Sequence, residues 1–205
     1  MNLFDSEPRN ILPYDGETIY YGKVLDRPTA DTCFDRLIEN IEWRHDEVMM
    51  FGRKITTARE TAWYGDKPYR YVYSGIGRVA LPWTQEIRKL KELAEKICGE
   101  PFNSCLLNLY HDGSQGMAWH SDNESTLEPG AAIASFSFGA ERKFSLKHND
   151  SKQSVSVVLE HGGLLVMRGS TQDYWKHCLP KTKKVTRPRI NLTFRRMKPT
   201  VVCLG

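Results

Sequence analysis

Arg189-Ile190-Asn191-Leu192-Thr193-Phe194-Arg195 alternates without a break, with Ile190, Leu192 and Phe194 on one side and Arg189, Asn191, Thr193 and Arg195 on the other. Side chains of an extended chain point to opposite faces with period two, so this run reads as a strand with one apolar and one doubly cationic face. Leu106-Leu107-Asn108-Leu109-Tyr110 brings Asn108 and Tyr110 to one face in the same way. Phe136, Phe138, Phe144 and Leu146 alternate with Ser135, Ser137 and Ser145, and Val155, Val157 and Leu159 alternate with Ser154, Ser156 and Val158. A further strand runs from Leu164 to Met167, opened by the turn pair Gly162-Gly163.

Ahead of these strands the pattern is helical. Phe34, Leu37, Ile38 and Ile41 are spaced as one face of a helix over Thr29 to Trp43. Ile87, Leu90, Ala94 and Ile97 do the same over Thr84 to Cys98, with Pro82 before and Gly99 after. Helices first and then many strands predict an α+β fold, a rolled antiparallel sheet with helices on one side. At 205 residues the whole chain, 1–205, is expected to be one domain. Five widely spaced cysteines (Cys33, Cys98, Cys105, Cys178 and Cys203) without a Cys-x-x-Cys pair argue against a disulfide framework or zinc ribbon. Met1 to Asn10 lacks a basic-then-apolar signal pattern, and no apolar run reaches membrane length. A monomer in the cytoplasm, or in the nucleus of a eukaryotic cell, without a membrane partner, is therefore expected.

His120 and Asp122 share one face of an extended segment, and His177 follows later. Two imidazoles and a carboxylate form the facial triad of non-haem Fe(II) oxygenases, which leaves three coordination positions open. Standing alone, the same residues read equally as a polar turn in Ser121-Asp122-Asn123-Glu124-Ser125 and a surface histidine. The strand at 189–195 could likewise be a half-exposed edge. If its polar face is interior, however, the two arginines need an anion, because unpaired buried charge is costly. A dicarboxylate fits: one end chelates the metal and an arginine fork takes the other.

These residues sit in stretches that resemble the AlkB family of Fe(II)- and 2-oxoglutarate-dependent nucleic-acid demethylases. The stretches are Thr61-Ala62-Trp63-Tyr64-Gly65, Phe102-Asn103-Ser104 through Asn108-Leu109-Tyr110, Trp119 to Glu124, Ile133 to Ala140, Trp175-Lys176-His177 and Arg189 to Arg195. They follow the family's order, and the chain is most similar to the second and third animal homologues. The resemblance implies a double-stranded β-helix (jelly-roll) core over about 102–197, flanking N-terminal helices and a nucleotide-recognition hairpin region over about 44–80. It implies iron on His120, Asp122 and His177, the catalytic centre, and 2-oxoglutarate on Asn108, Tyr110, Arg189, Asn191 and Arg195, with O2 as the third reactant. The activity implied is oxidative demethylation of N1-methyladenine and N3-methylcytosine in DNA, a direct repair of alkylation damage. It releases formaldehyde, succinate and CO2. RNA or protein as substrate, or a non-catalytic binder of alkylated DNA, are the alternatives; an intact triad with both arginines weighs against a pure binder.

The same resemblance gives a substrate-binding set of Phe51, Arg59, Tyr71, Tyr73 and Glu124, with Tyr73 and His120 sandwiching an extruded base. An aromatic face grips any flipped base, gaining about 1–3 kcal/mol. The alternative is that Tyr69, Tyr71 and Tyr73 form one strand face packed on the core, a reading that suits Tyr69 better than the other two. Val48-Met49-Met50-Phe51-Gly52-Arg53 is either a buried hairpin or a wedge that enters a base stack. Lys181, Lys183, Lys184, Arg187, Arg189, Arg195, Arg196 and Lys198 crowd the end of a chain whose net charge is +4. That run is either a solvated face or a polyanion-facing patch. Cys178, beside His177, has no assigned role.

Overall fold

A computed structural model describes residues 8–50, 53–73 and 76–199; the side chains of 46–50, 53–55, 70–73 and 76–78 lie outside that description. The chain opens with β1 (Glu17–Lys23), α1 (Arg27–Asn40), β2 (Arg44–Met50) and β3 (Arg53–Gly65). Next come β4 (Arg70–Tyr73), β5 (Ile76–Val79), α2 (Gln85–Cys98), β6 (Ser104–Tyr110) and β7 (Met117–His120). It continues through β8 (Ile133–Gly139), β9 (Arg142–His148), β10 (Ser154–Leu159) and β11 (Gly163–Arg168). The short α3 (Thr171–Tyr174), β12 (Trp175–Leu179) and β13 (Arg189–Arg195) close the fold.

Two antiparallel sheets carry the architecture. The larger has the order β1-β11-β8-β13-β6-β3-β2, the smaller β10-β9-β12-β7, and β4 pairs with β5 alone. Apart from the hairpins β2–β3 and β9–β10, neighbours in each sheet are far apart in sequence, the mark of a jelly roll. On the outer face of the large sheet, Phe136, Phe138, Ile190, Leu192 and Phe194 form one core with Leu37 of α1 and Ile87, Leu90 and Ala94 of α2. Between the sheets lies a second apolar cluster of Ile133, Leu146, Leu159, Leu165, Met167 and Trp175, joined by Leu12. The rest of the space between the sheets is lined by polar and apolar side chains together.

Both long helices start where a side chain supplies the missing acceptor. Asp26 accepts from the N–H of Thr29 at 2.9 Å, and Thr84 accepts from that of Ile87 at 3.3 Å. Gly99 ends α2 at φ 73°, a left-handed cap that costs glycine little. The first helix departs from the sequence pattern. It begins at Arg27, with Pro28 in its first turn, and ends at Asn40, since Ile41 is already extended. Ala30 and Leu37 are its buried residues, whereas Ile38 is 37% exposed. A small alanine lets the helix sit close to the sheet and turns Ile38 outward. Tyr69 belongs to neither sheet; it is buried beside Ala80, Leu127, Met197 and Trp63. No helix of the described residues is long and apolar enough to cross a membrane.

Candidate metal and anion site between the sheets

Strand β13 lies between β6 and β8. On one side Arg189 pairs with Tyr110 and Asn191 with Asn108; on the other Asn191 pairs with Ser137 and Thr193 with Ser135. Directly paired residues in a ladder share a face, so one polar surface spans three strands and looks toward the small sheet. It lines a cavity with His120, Asp122 and His177, and Met117, Phe144, Met167 and Leu179 fill the gaps.

The triad is built across one strand pair. His120 of β7 and His177 of β12 are direct partners, their rings 4.2 Å apart at 62°. Asp122 follows two residues after His120, and one ligand atom from each residue falls within 4.8 Å of the other two. Nδ1 of His120 is 2.8 Å from the carbonyl of Ala118. A carbonyl can only accept, so Nδ1 carries the proton and Nε2 presents its lone pair. Burial pushes His177 down to about 4, against the pull of Asp122, which leaves its imidazole neutral at pH 7. Burial alone would raise the carboxyl of Asp122, but Arg195, with both imidazoles behind it, outweighs burial and pulls it below the ordinary carboxylate range. Two imidazoles and an ionised carboxylate within reach of one point are a donor set suited to Fe(II).

The two arginines of β13 are in different situations. Arg195 donates from Nη2 to Oδ1 of Asp122 at 2.8 Å. Its charge is therefore matched. Arg189 is 2% exposed, donates to the hydroxyl of Ser137 at 2.9 Å and lies over the Tyr110 ring at 5.6 Å. Among the described residues no carboxylate pairs with Arg189, in contrast to Arg195, although the Nε atoms of both lack a hydrogen-bond partner. Burial lowers its guanidinium to about 10, with Tyr110 opposing, so it remains cationic at neutral pH. Oδ1 of Asn108 is also buried without a partner, while Asn191 is satisfied by Ser135 and the carbonyl of Phe136. A buried cation without an anion is the setting a dicarboxylate would complete, whereas the idle Oδ1 of Asn108 is an acceptor and calls for a donor. Along the strand the two backbone positions are about 20 Å apart at roughly 3.3 Å per residue, yet both side chains line the one cavity, Arg195 at the Asp122 end.

The remaining residues of interest scatter more widely. Arg59 is half-buried and reaches Sδ of Met117 at 3.6 Å, close enough to Tyr110 to act on its hydroxyl. Glu124 is half-buried near Arg195, with Oε2 unbonded. Tyr71 and Tyr73 belong to β4, but their side chains, like the whole of Phe51, lie outside the described residues. Cys178 points away from the triad, to the outer face of the small sheet near Lys143 and Lys147. Of the basic run, Arg189 and Arg195 are interior, whereas Lys181, Lys183, Lys184 and Arg187 are exposed.

The sequence reading missed Arg142. Only 2% exposed, it donates to the carbonyls of Asp112, Gln115 and Pro180. It thereby ties the turn after Tyr110 to the start of the basic loop. Gly113 makes that contact possible, since a Cβ there would run into the carbonyl oxygen of Thr182. No local pattern marks Arg142, because its three acceptors are backbone atoms of distant loops.

Comparison with known proteins agrees with this geometry. Residues 17–195 match the 2OG-Fe(II) oxygenase superfamily. The mouse DNA oxidative demethylase ALKBH2 is 37% identical over 197 residues, which is 91% of this chain and 82% of that protein. The human alpha-ketoglutarate-dependent dioxygenase alkB homolog 3 is 36% identical over 87% of this chain and 65% of its own length. The solved structure of OsALKBH1, at 18% identity, superposes with a TM-score of 0.58 over 87% of this chain and 97% of that one, a likeness of fold.

Proposed function

This chain belongs to the 2OG-Fe(II) oxygenase superfamily as an AlkB-type member, a dioxygenase that uses Fe(II) and 2-oxoglutarate, and from that premise we propose that it demethylates alkylated bases in DNA. N1-methyladenine and N3-methylcytosine are the substrates proposed. The observation that carries the reading is the buried, carboxylate-free guanidinium of Arg189 in the same cavity as His120, Asp122 and His177.

His120, Asp122 and His177 would hold the metal. Arg189 would take the far carboxylate of 2-oxoglutarate, with the Tyr110 hydroxyl and the Asn108 amide beside it and Asn191 beneath. Arg195 would meet the near end while keeping Asp122 ionised. When bound, iron and 2-oxoglutarate supply the oxidation of an N-methyl group with O2, releasing succinate, CO2 and then formaldehyde. The chain's own part is to orient and to exclude water. Leu106, Met117, Phe144, Met167 and Leu179 keep the cavity apolar where it is not bonding. The Nδ1–H of His120, donated to the carbonyl of Ala118, would hold the ring so that Nε2 faces the metal.

Base recognition falls to the segment 44–80, with the hairpin β2–β3 at the sheet edge and β4–β5 beyond it. Tyr71 and Tyr73 would grip the flipped base, with Arg59 and Glu124 contacting it and Phe51 as the wedge. The four exposed cations at 181–187 would follow the phosphate backbone. Similarity to proteins named as DNA oxidative demethylases supports DNA over RNA or a peptide. The test is mass spectrometry of N1-methyladenine and N3-methylcytosine oligonucleotides after incubation with Fe(II), 2-oxoglutarate and ascorbate. A loss of 14 mass units per lesion, dependent on both cofactors, is expected for a methyl replaced by hydrogen. Turnover of methylated RNA or peptide but not DNA would overturn the substrate assignment, and binding without turnover would make the chain a sensor.

A further inference from the structure

Asp122 lies two residues beyond β7, outside any strand ladder, yet its carboxylate keeps a fixed bearing on His120 and His177. Arg195 restrains the side chain. The main chain is restrained separately, because the N–H of Asp122 donates to Oε1 of Gln172 at 2.8 Å. A backbone N–H can only donate, so the amide of Gln172 has a single orientation. Its Nε2 accordingly faces Sδ of Met167 at 3.5 Å. Gln172 belongs to α3, which runs straight into β12 and His177, and Met167 lines the triad cavity from β11. One amide thus ties the loop that carries Asp122 to the segment that carries His177 and to the cavity wall.

We infer that Gln172 is a positioning residue for the metal site. It sets the main-chain direction at Asp122, and so the aim of the carboxylate, without itself touching metal, cosubstrate or base. The inference rests on His120, Asp122 and His177 being the ligands. Groups that orient a metal ligand matter to affinity, and their loss typically weakens metal binding about 10–100-fold. A side chain that only filled space between α3 and the loop would influence stability and leave affinity alone.

Co(II) is the probe, since it occupies N/O sites of this kind and reports its coordination by visible absorption. Gln172→Met keeps the length of the side chain and removes the acceptor; Gln172→Glu keeps an acceptor oxygen. The expected result is Co(II) binding about tenfold weaker or worse, with an altered spectrum, in Gln172→Met, and restoration to within about threefold in Gln172→Glu. Wild-type affinity and spectrum in Gln172→Met overturn the inference, as does an equal loss in both variants. His120→Ala separates the two levels. Loss there but not in Gln172→Met removes the role of Gln172 alone, and no loss in either removes the ligand assignment beneath it. A second measurement needs no variant: in the wild-type protein, amide hydrogen exchange should be slower at Asp122 than at Ser121 or Asn123. Equal rates at the three positions overturn the inference.

Discussion

Both faces of β13 turn inward, and they are made of opposite materials. Toward the helices lie Ile190, Leu192 and Phe194, each fully buried in a continuous apolar core. Toward the small sheet lie Arg189, Asn191, Thr193 and Arg195, of which Arg189, at 2% exposure, is nearly as inaccessible as the apolar core and Asn191 and Arg195 are half-buried. The first face stabilises the fold by removing carbon from water, about 1.5–3 kcal/mol for each large side chain. The second gains little that way and carries the cost of burying polar groups, which only matched partners offset. Depth of burial therefore does not separate core from site here. What separates them is whether the buried groups are complete without a ligand.

Removing the triad should break the polar face's contribution most completely. His120→Ala is expected to eliminate turnover in the oligonucleotide assay, while the melting temperature moves little, because His120 is over a third exposed. Asp122→Ala should eliminate turnover and also cost about 3 kcal/mol of stability, since Arg195 would remain buried without its partner. Full turnover in either variant sinks the triad assignment. On the apolar face the pattern should invert. Phe136→Ala should cost about 3–5 kcal/mol in denaturant unfolding, yet the folded fraction should keep the wild-type requirement for 2-oxoglutarate. A changed cosubstrate requirement would mean that the two faces are not independent.

A finer test keeps the charge and changes its shape. Arg189→Lys loses the planar fork, and 2-oxoglutarate should bind about 10–100-fold more weakly by calorimetry with Mn(II) in place of iron. Unchanged affinity would move the cosubstrate's far carboxylate elsewhere. Arg187, two residues earlier, supplies the surface counterpart. Neutralising Lys181, Lys183, Lys184 and Arg187 together should leave stability within about 0.5 kcal/mol per residue. The salt dependence of duplex binding should flatten by about 0.9 for each cation that had met a phosphate. An unchanged slope would return those four residues to plain solvated charge.

Much of this was legible from one dimension because sheets encode their faces by alternation. The period-two runs at 106–110, 133–138 and 189–195 mark real strands, and the residues that alternate in them do part to opposite faces. Alternation could not say that both faces are interior. Ser135 and Ser137 alternate with Phe136 and Phe138, yet they too are buried, and they are bonded to Asn191 and Arg189. The basic run likewise hides the difference between Arg187 and Arg189, which only strand pairing decides. Gln172 and Arg142 left no trace in the sequence, since each bonds to backbone atoms of segments remote along the chain. The helix at 27–40 shows the converse error, where spacing alone turned Ile38 inward.

The direct pairing of His120 with His177 has a consequence for how such a chain can diverge. A single residue inserted or deleted within β7 or β12 would send one imidazole to the opposite face of the small sheet. The length between Asn123 and Ser170 is under no such constraint at its turns, because lengthening an exposed loop raises its closing entropy only slowly. Residues 149–153, at the turn between β9 and β10, are the natural place for insertions to accumulate. Related chains should therefore differ in length there while the spacing from Met117 to Asp122 stays rigid, so that gaps in an alignment would trace the site by avoiding it.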